Sequence, residues 1–109
     1  LICHCSCPDA ETAAMLARRL VEERLAACAS VLPGLRSTYR WEGRIEEADE
    51  VLLLAKTRRG LFDALAARVV ELHPYELPEV VAVEAAAGLP AYLAWVEAET
   101  LAADPAAAS

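Results

Sequence analysis

Three cysteines at alternate positions, Cys3, Cys5 and Cys7, open the chain, and a single further thiol follows at Cys28. Thiolates ligate soft and borderline metals and can also pair as disulfides, so spacing has to choose between these uses. On a β-strand, residues two apart share a face with Cα atoms about 6.6 Å apart, at the edge of disulfide reach and badly aimed for it. Bridging within the triplet is therefore not expected, and a reducing compartment, the cytoplasm, fits four unpaired thiols best. The triplet also lacks the C-x₂-C spacing of zinc sites, which leaves two readings, a thiol cluster that binds metal or three small residues packed under a strand. His4 points to the opposite face and cannot join the cysteines within one subunit. Cys28 reads as a buried, packed thiol. The second imidazole, His73, stands before Pro74-Tyr75-Glu76-Leu77-Pro78-Glu79.

Composition narrows the classes of function. The formal net charge is -7 over 109 residues, which argues against nucleic acid and anionic membrane surfaces as partners. The hydrophobic fraction is 57%, yet no apolar run approaches the ~20 residues that cross a bilayer. That excess of apolar residues is read as surface buried in an oligomer. No nucleophile elbow, Gly-rich phosphate loop or H-E-x-x-H motif is present, so no catalytic role is expected.

The elements that must position these residues can be read in order. Leu1 to Ser6 is a short strand closed by Pro8, and Asp9 is an N-cap for a helix from Ala10 to about Ala27. Cys28 to Leu32 is a strand, with a kink at Pro33-Gly34. A long hairpin follows from Leu35 to Thr57, turning at Glu42-Gly43, with Glu46, Glu47, Asp49 and Glu50 solvated near the turn. Its second arm ends in Val51-Leu52-Leu53-Leu54-Ala55, apolar at consecutive positions, so both faces should be covered. Gly60 to Leu72 is a second helix stopped by His73-Pro74. Glu79 to Glu84 is a strand apolar on both faces. Pro90 opens a third helix whose face is Leu89, Leu93 and Val96, with Tyr92 and Trp95 flanking as interface or core packing. The order βαββαβ plus a C-terminal helix is the α+β, ferredoxin-like arrangement with a long β2-β3 hairpin, as one domain over 1–100 and a flexible Ala-rich tail over 101–109.

Four stretches carry a resemblance: Cys5-Ser6-Cys7-Pro8-Asp9, Leu25-Ala26-Ala27-Cys28-Ala29-Ser30, Tyr39-Arg40-Trp41-Glu42-Gly43, and His73-Pro74-Tyr75-Glu76-Leu77-Pro78-Glu79. Together with Tyr92-Leu93-x-Trp95 they are similar to the CutA family of divalent-cation tolerance proteins, over about Leu1 to Glu99. The resemblance implies a cytoplasmic, non-catalytic homotrimer with hairpins pairing across subunits, and a link to copper and other divalent metal ions. It implies a metal site at Cys5 and His73; some relatives carry a second His where this chain has Leu72, so a third ligand has to come from Cys7, Cys28, a carboxylate, water or a neighbouring subunit. The alternative for these two residues is structural, with Cys5 a small buried hydrophobe and His73 bonded to backbone. Trp41, Glu42, Lys56, Tyr75 and Glu79, with Cys28, form a second set, read either as the lining of an inter-subunit cleft for a small molecule or as a network that specifies the trimer, with Lys56 and Glu79 as an ion pair. The same architecture also admits a regulatory trimer similar to the nitrogen-signalling PII proteins, or a trimeric scaffold that anchors partner proteins.

Overall fold

The computed structural model describes residues 1–102. It contains β1 (Ile2–Cys7), α1 (Ala10–Glu22), β2 (Cys28–Trp41), β3 (Arg44–Lys56), a 3₁₀ turn at Arg59–Leu61, α2 (Phe62–Leu72), β4 (Val81–Val83) and α3 (Pro90–Ala98). The four strands form one antiparallel sheet in the order β2-β3-β1-β4. This is the expected ferredoxin-like βαββαβ order with the long hairpin and the added helix. β1 lies inside the sheet, paired with β3 through Cys5↔Leu53 and Cys7↔Val51 and with β4 through Cys3↔Ala82.

Alternation assigns the two faces. Cys3, Cys5 and Cys7 on β1 and Val51, Leu53 and Ala55 on β3 are buried, and they pack against Ala13, Leu16 and Leu20 of α1 and Leu65 and Val69 of α2. The core thus lies between one sheet face and the two main helices. On the other face Leu32, Val81 and Val83 are exposed. A continuous apolar strand reads as covered on both sides; here one subunit covers only one.

Helix α1 starts as its sequence dictates, with Asp9 Oδ1 accepting from the Thr12 amide at 2.7 Å. It ends five residues before the expected Ala27. Arg24 takes φ 59°, its amide bonds the Val21 carbonyl at 3.1 Å, and the Leu25 amide reaches back to Leu20 at 2.9 Å. This is a Schellman ending, normally signalled by glycine; with arginine in that place the stop is silent in the sequence.

β2 is one continuous strand rather than two. Leu32 pairs with Leu52 but Leu35 pairs with Glu50, so Pro33 and Gly34 together face the single residue Val51 and form a bulge. Gly34 sits at φ 87°, where a side chain would be strained. The hairpin closes between Trp41 and Arg44 in two residues, Glu42 at φ 51° and Gly43 at φ 79°. Two positive φ values make a type I′ turn, whose twist matches that of the strands.

The remaining expectations are met unevenly. Glu50 is buried, not solvated, because the Tyr75 hydroxyl reaches it. Cys28 is half-buried rather than buried, since it begins β2 on the uncovered face opposite Lys56. Of the face expected on α3, only Val96 is buried, and Leu89, Tyr92, Leu93 and Trp95 are exposed. The Arg58 guanidinium closes the end of α3 by donating to the Glu97 carbonyl, the Thr100 hydroxyl and the Ala102 carbonyl. Leu101 donates its amide to Arg24 O at 3.0 Å and packs on the core. Residues 103–109, on which most of the expected tail falls, lie outside the described residues.

Candidate metal centre

At the C-terminal end of β1, three buried donors converge. One ligand atom each from Cys5, Cys7 and His73 lies within 4.8 Å of the others. The two thiols are there because alternate residues of a strand share a face, and the register against β3 turns that face toward the helices. His73 arrives from α2. Its amide closes the helix on Val69 O at 2.8 Å, and the following proline pulls its backbone out to φ -78°, ψ 138°. The imidazole then folds under β1.

Hydrogen bonds fix the ring. The Tyr75 amide donates to Nδ1 at 3.1 Å, so Nδ1 presents a lone pair and the proton sits on Nε2, which donates to the Ser6 carbonyl at 2.8 Å. The Tyr75 ring lies 4.6 Å from the imidazole, and its hydroxyl donates to Glu50 at 2.7 Å. Both ring nitrogens of His73 are therefore committed to backbone groups, which is the structural role that was the alternative to ligation.

The two sulfurs differ. The neighbouring Cys7 thiol, then burial, hold the Cys5 thiol far above the ordinary thiol range, with the Glu79 and Glu50 charges adding to it. The same pairing lowers Cys7, making it the more readily ionised of the two. Burial also raises Cys3. A thiol-thiol-imidazole set with no carboxylate in it fits a soft or borderline ion such as copper or zinc, and not a hard, oxygen-seeking one.

The second predicted set divides. Tyr75 and Glu79 belong to this centre, Tyr75 through His73 and Glu50, and Glu79 through its charge on Cys5. Cys28 and Lys56 face each other across β2 and β3 at the base of the hairpin. Trp41 and Glu42 stand at its tip, twelve strand residues from Lys56, roughly 40 Å at ~3.3 Å each, in a molecule whose longest dimension is 43 Å. Within one chain these residues line no common cleft, and no ion pair joins Lys56 to Glu79 among the described residues. Sequence reading passed over Glu50 as one of a solvated acidic run; its pairing with Leu35 just past the bulge, which brings it within reach of Tyr75, had no signal in the chain.

Residues 1–99 match the family described as CutA1 divalent ion tolerance protein. The divalent-cation tolerance protein CutA of Thermus thermophilus is 50% identical over 93 residues, covering 85% of this chain and 90% of that one. Protein CutA of Mus musculus is 45% identical over 95 residues, 87% of this chain and 54% of that protein, so the chain spans about half the length of its mouse relative. Among solved structures, CutA from Xylella fastidiosa aligns with a TM-score of 0.87 at 48% identity over 90% of this chain and 94% of that one. The Thermus thermophilus divalent cation tolerance protein aligns with a TM-score of 0.89 at 46% identity, over 91% and 96%. Sheet order, sequence and superposition agree: the chain belongs to the CutA1 divalent ion tolerance protein family.

Proposed function

We propose that this chain is a non-catalytic, cytoplasmic divalent-cation tolerance protein that works as a homotrimer and binds copper or another divalent cation through Cys5 and His73. The observation that carries the reading is the convergence of buried sulfur and imidazole donors within 4.8 Å at the end of β1. The relatives' names speak of divalent-cation tolerance.

Association is supported by what one subunit leaves open. Leu32, Val81 and Val83 on the outer sheet face are exposed, as are Leu89, Tyr92 and Trp95 around α3. Apolar exposure of this extent marks a surface that meets another protein. The protruding hairpin, with its exposed Tyr39, Trp41 and Ile45, reaches beyond the core in the manner of an arm that pairs with a neighbour.

The test is an anaerobic copper titration of the reduced chain against a competing chelator, with light scattering alongside. The reading expects a tight, stoichiometric site lost in the Cys5→Ser/His73→Ala double variant, and a trimer at low micromolar concentration. Binding weaker than about 10 μM would remove the metal role, and a double variant that binds as the parent does would remove the Cys5/His73 site. The small-molecule reading then takes its place, tested by thermal-shift screening of the trimer against nucleotides and metabolites with Trp41→Ala as the control.

A further inference from the structure

We infer that Cys7 is the third protein ligand, and that Cys5, Cys7 and His73 together hold one soft metal ion of low coordination number, monovalent copper being the class the donor set fits. This rests on the Cys5/His73 copper site proposed above, goes beyond it by naming the missing donor, and departs from it in giving the bound ion a single charge.

Leu72 carries no donor, so Cys5 and His73 alone leave a two-ligand site. Cys7 fills the gap by geometry, because it is the next residue of β1 on the same face and its sulfur already belongs to the cluster. Cys7 is 0% exposed, Cys5 4% and His73 7%. Burial of that degree keeps bulk water from completing a larger coordination shell. Zinc in structural sites takes four ligands, and the hard divalent ions take six or more oxygens. Soft sulfur donors select monovalent copper, which is content with two or three ligands. Cys3 lies on the same face but outside the cluster, next to the uncharged Ala55 and Ala82 of the adjoining strands.

Loading exchanges protons for metal: two S–H bonds break, two metal–sulfur bonds form, and two protons leave to solvent. No electron moves if the copper is supplied in its monovalent state. The imidazole needs one free lone pair. It gains one either by surrendering the Tyr75 amide at Nδ1 or by shifting its proton to Nδ1, which loses both the Ser6 carbonyl at Nε2 and the Tyr75 amide. Either exchange moves a backbone bond that nuclear magnetic resonance can follow.

The experiment uses the full chain, reduced and anaerobic, titrated with monovalent copper against a competing chelator, with zinc in parallel. Copper X-ray absorption counts the sulfurs. One copper bound per chain by two sulfurs and one nitrogen is expected, with a shift of the Tyr75 or Ser6 backbone resonances. Cys7→Ser is expected to weaken binding by about 100-fold or more, above what loss of a partner beyond the ligands gives. Cys3→Ser is expected to leave affinity within a few-fold, and Cys7→Ala replaces Cys7→Ser if circular dichroism shows that serine unfolds the chain. Parent-like affinity in the Cys7 variants, or a single sulfur on copper, overturns the role of Cys7 while leaving the Cys5/His73 reading standing. Zinc held by the same sulfurs more tightly than monovalent copper overturns the ion. No metal bound by the parent chain overturns both readings together.

Discussion

The Tyr75 hydroxyl donates a 2.7 Å hydrogen bond to Oε2 of Glu50, a carboxylate that is only 7% exposed and lies 25 residues earlier in the chain. The loop after α2 is thereby tied to the middle of the hairpin, next to the sulfur-imidazole cluster. Burial first, and then the Glu50 hydrogen bond, push the tyrosine phenol above its ordinary range, so it remains a donor throughout the neutral region. Tyr75→Phe keeps the ring on His73 but leaves the buried carboxylate without this partner. Such an orphaned group costs about 1–3 kcal/mol, and urea unfolding of the variant against the parent measures it. A variant equal to the parent would mean that Glu50 finds another donor.

Arg24 occupies the left-handed region at φ 59° to end α1. Glycine adopts that conformation without the Cβ clash, and the ion pair to Glu99 that arginine contributes is 3.5 Å long and exposed, so its loss matters little. Arg24→Gly is therefore expected to stabilise the protein by roughly 0.5–1 kcal/mol. A calorimetric Tm below that of the parent would contradict it.

Acid should weaken the fold through two carboxylates. The Arg68 guanidinium grips both Glu23 oxygens, at 2.9 and 3.0 Å, and holds that carboxyl below its usual range. The Thr12 amide does the same for Asp9. A depressed native value means that the unfolded chain binds protons first as pH falls. The stabilisation is thus complete above the ordinary carboxylate value of about 4 and is lost as pH drops through the native values. Unfolding midpoints measured from pH 7 to pH 3 should fall below about pH 5, and the fall should be shallower in Arg68→Gln.

Arg58 is expected to hold α3 in place, since its side chain donates to Glu97 O, Thr100 Oγ1 and Ala102 O. Val96 is the only buried side chain of that helix, so packing contributes little else. Arg58→Ala should speed amide exchange across residues 93–101 while leaving the sheet amides protected. Uniform exchange rates would place the anchor elsewhere.

The residues explain which of these features were readable in advance. Asp9, Gly43 and Pro90 are position-specific punctuation, and each appears where its backbone preference requires: at a cap, in a I′ turn and at N1. The alternation of Cys3, Cys5 and Cys7 was equally plain, since strand parity alone puts them on one face. The end of α1 was not, because arginine in a left-handed position leaves no compositional trace. Nor was the burial of Glu50, which depends on a tyrosine 25 residues away. The family resemblance pointed to Cys5 and His73. That Cys7 lies within reach of both, and that His73 spends both nitrogens on backbone, are facts of tertiary placement.

The bulge at Pro33 and Gly34 behaves like a frameshift in a reading frame of two. Before it, Ala29 and Val31 share the core face with Ala55 and Leu53; after it, Leu35 sits opposite Glu50 and Ser37 opposite Ala48, so the odd-numbered residues have changed sides. Everything distal inherits the new phase, including Tyr39 and Trp41 at the tip. Arm length in this hairpin is therefore quantised in matched pairs. Adding two residues to each arm lengthens the reach and preserves the message, whereas deleting Gly34 alone rewrites it, presenting the opposite side of the first arm to whatever the tip meets.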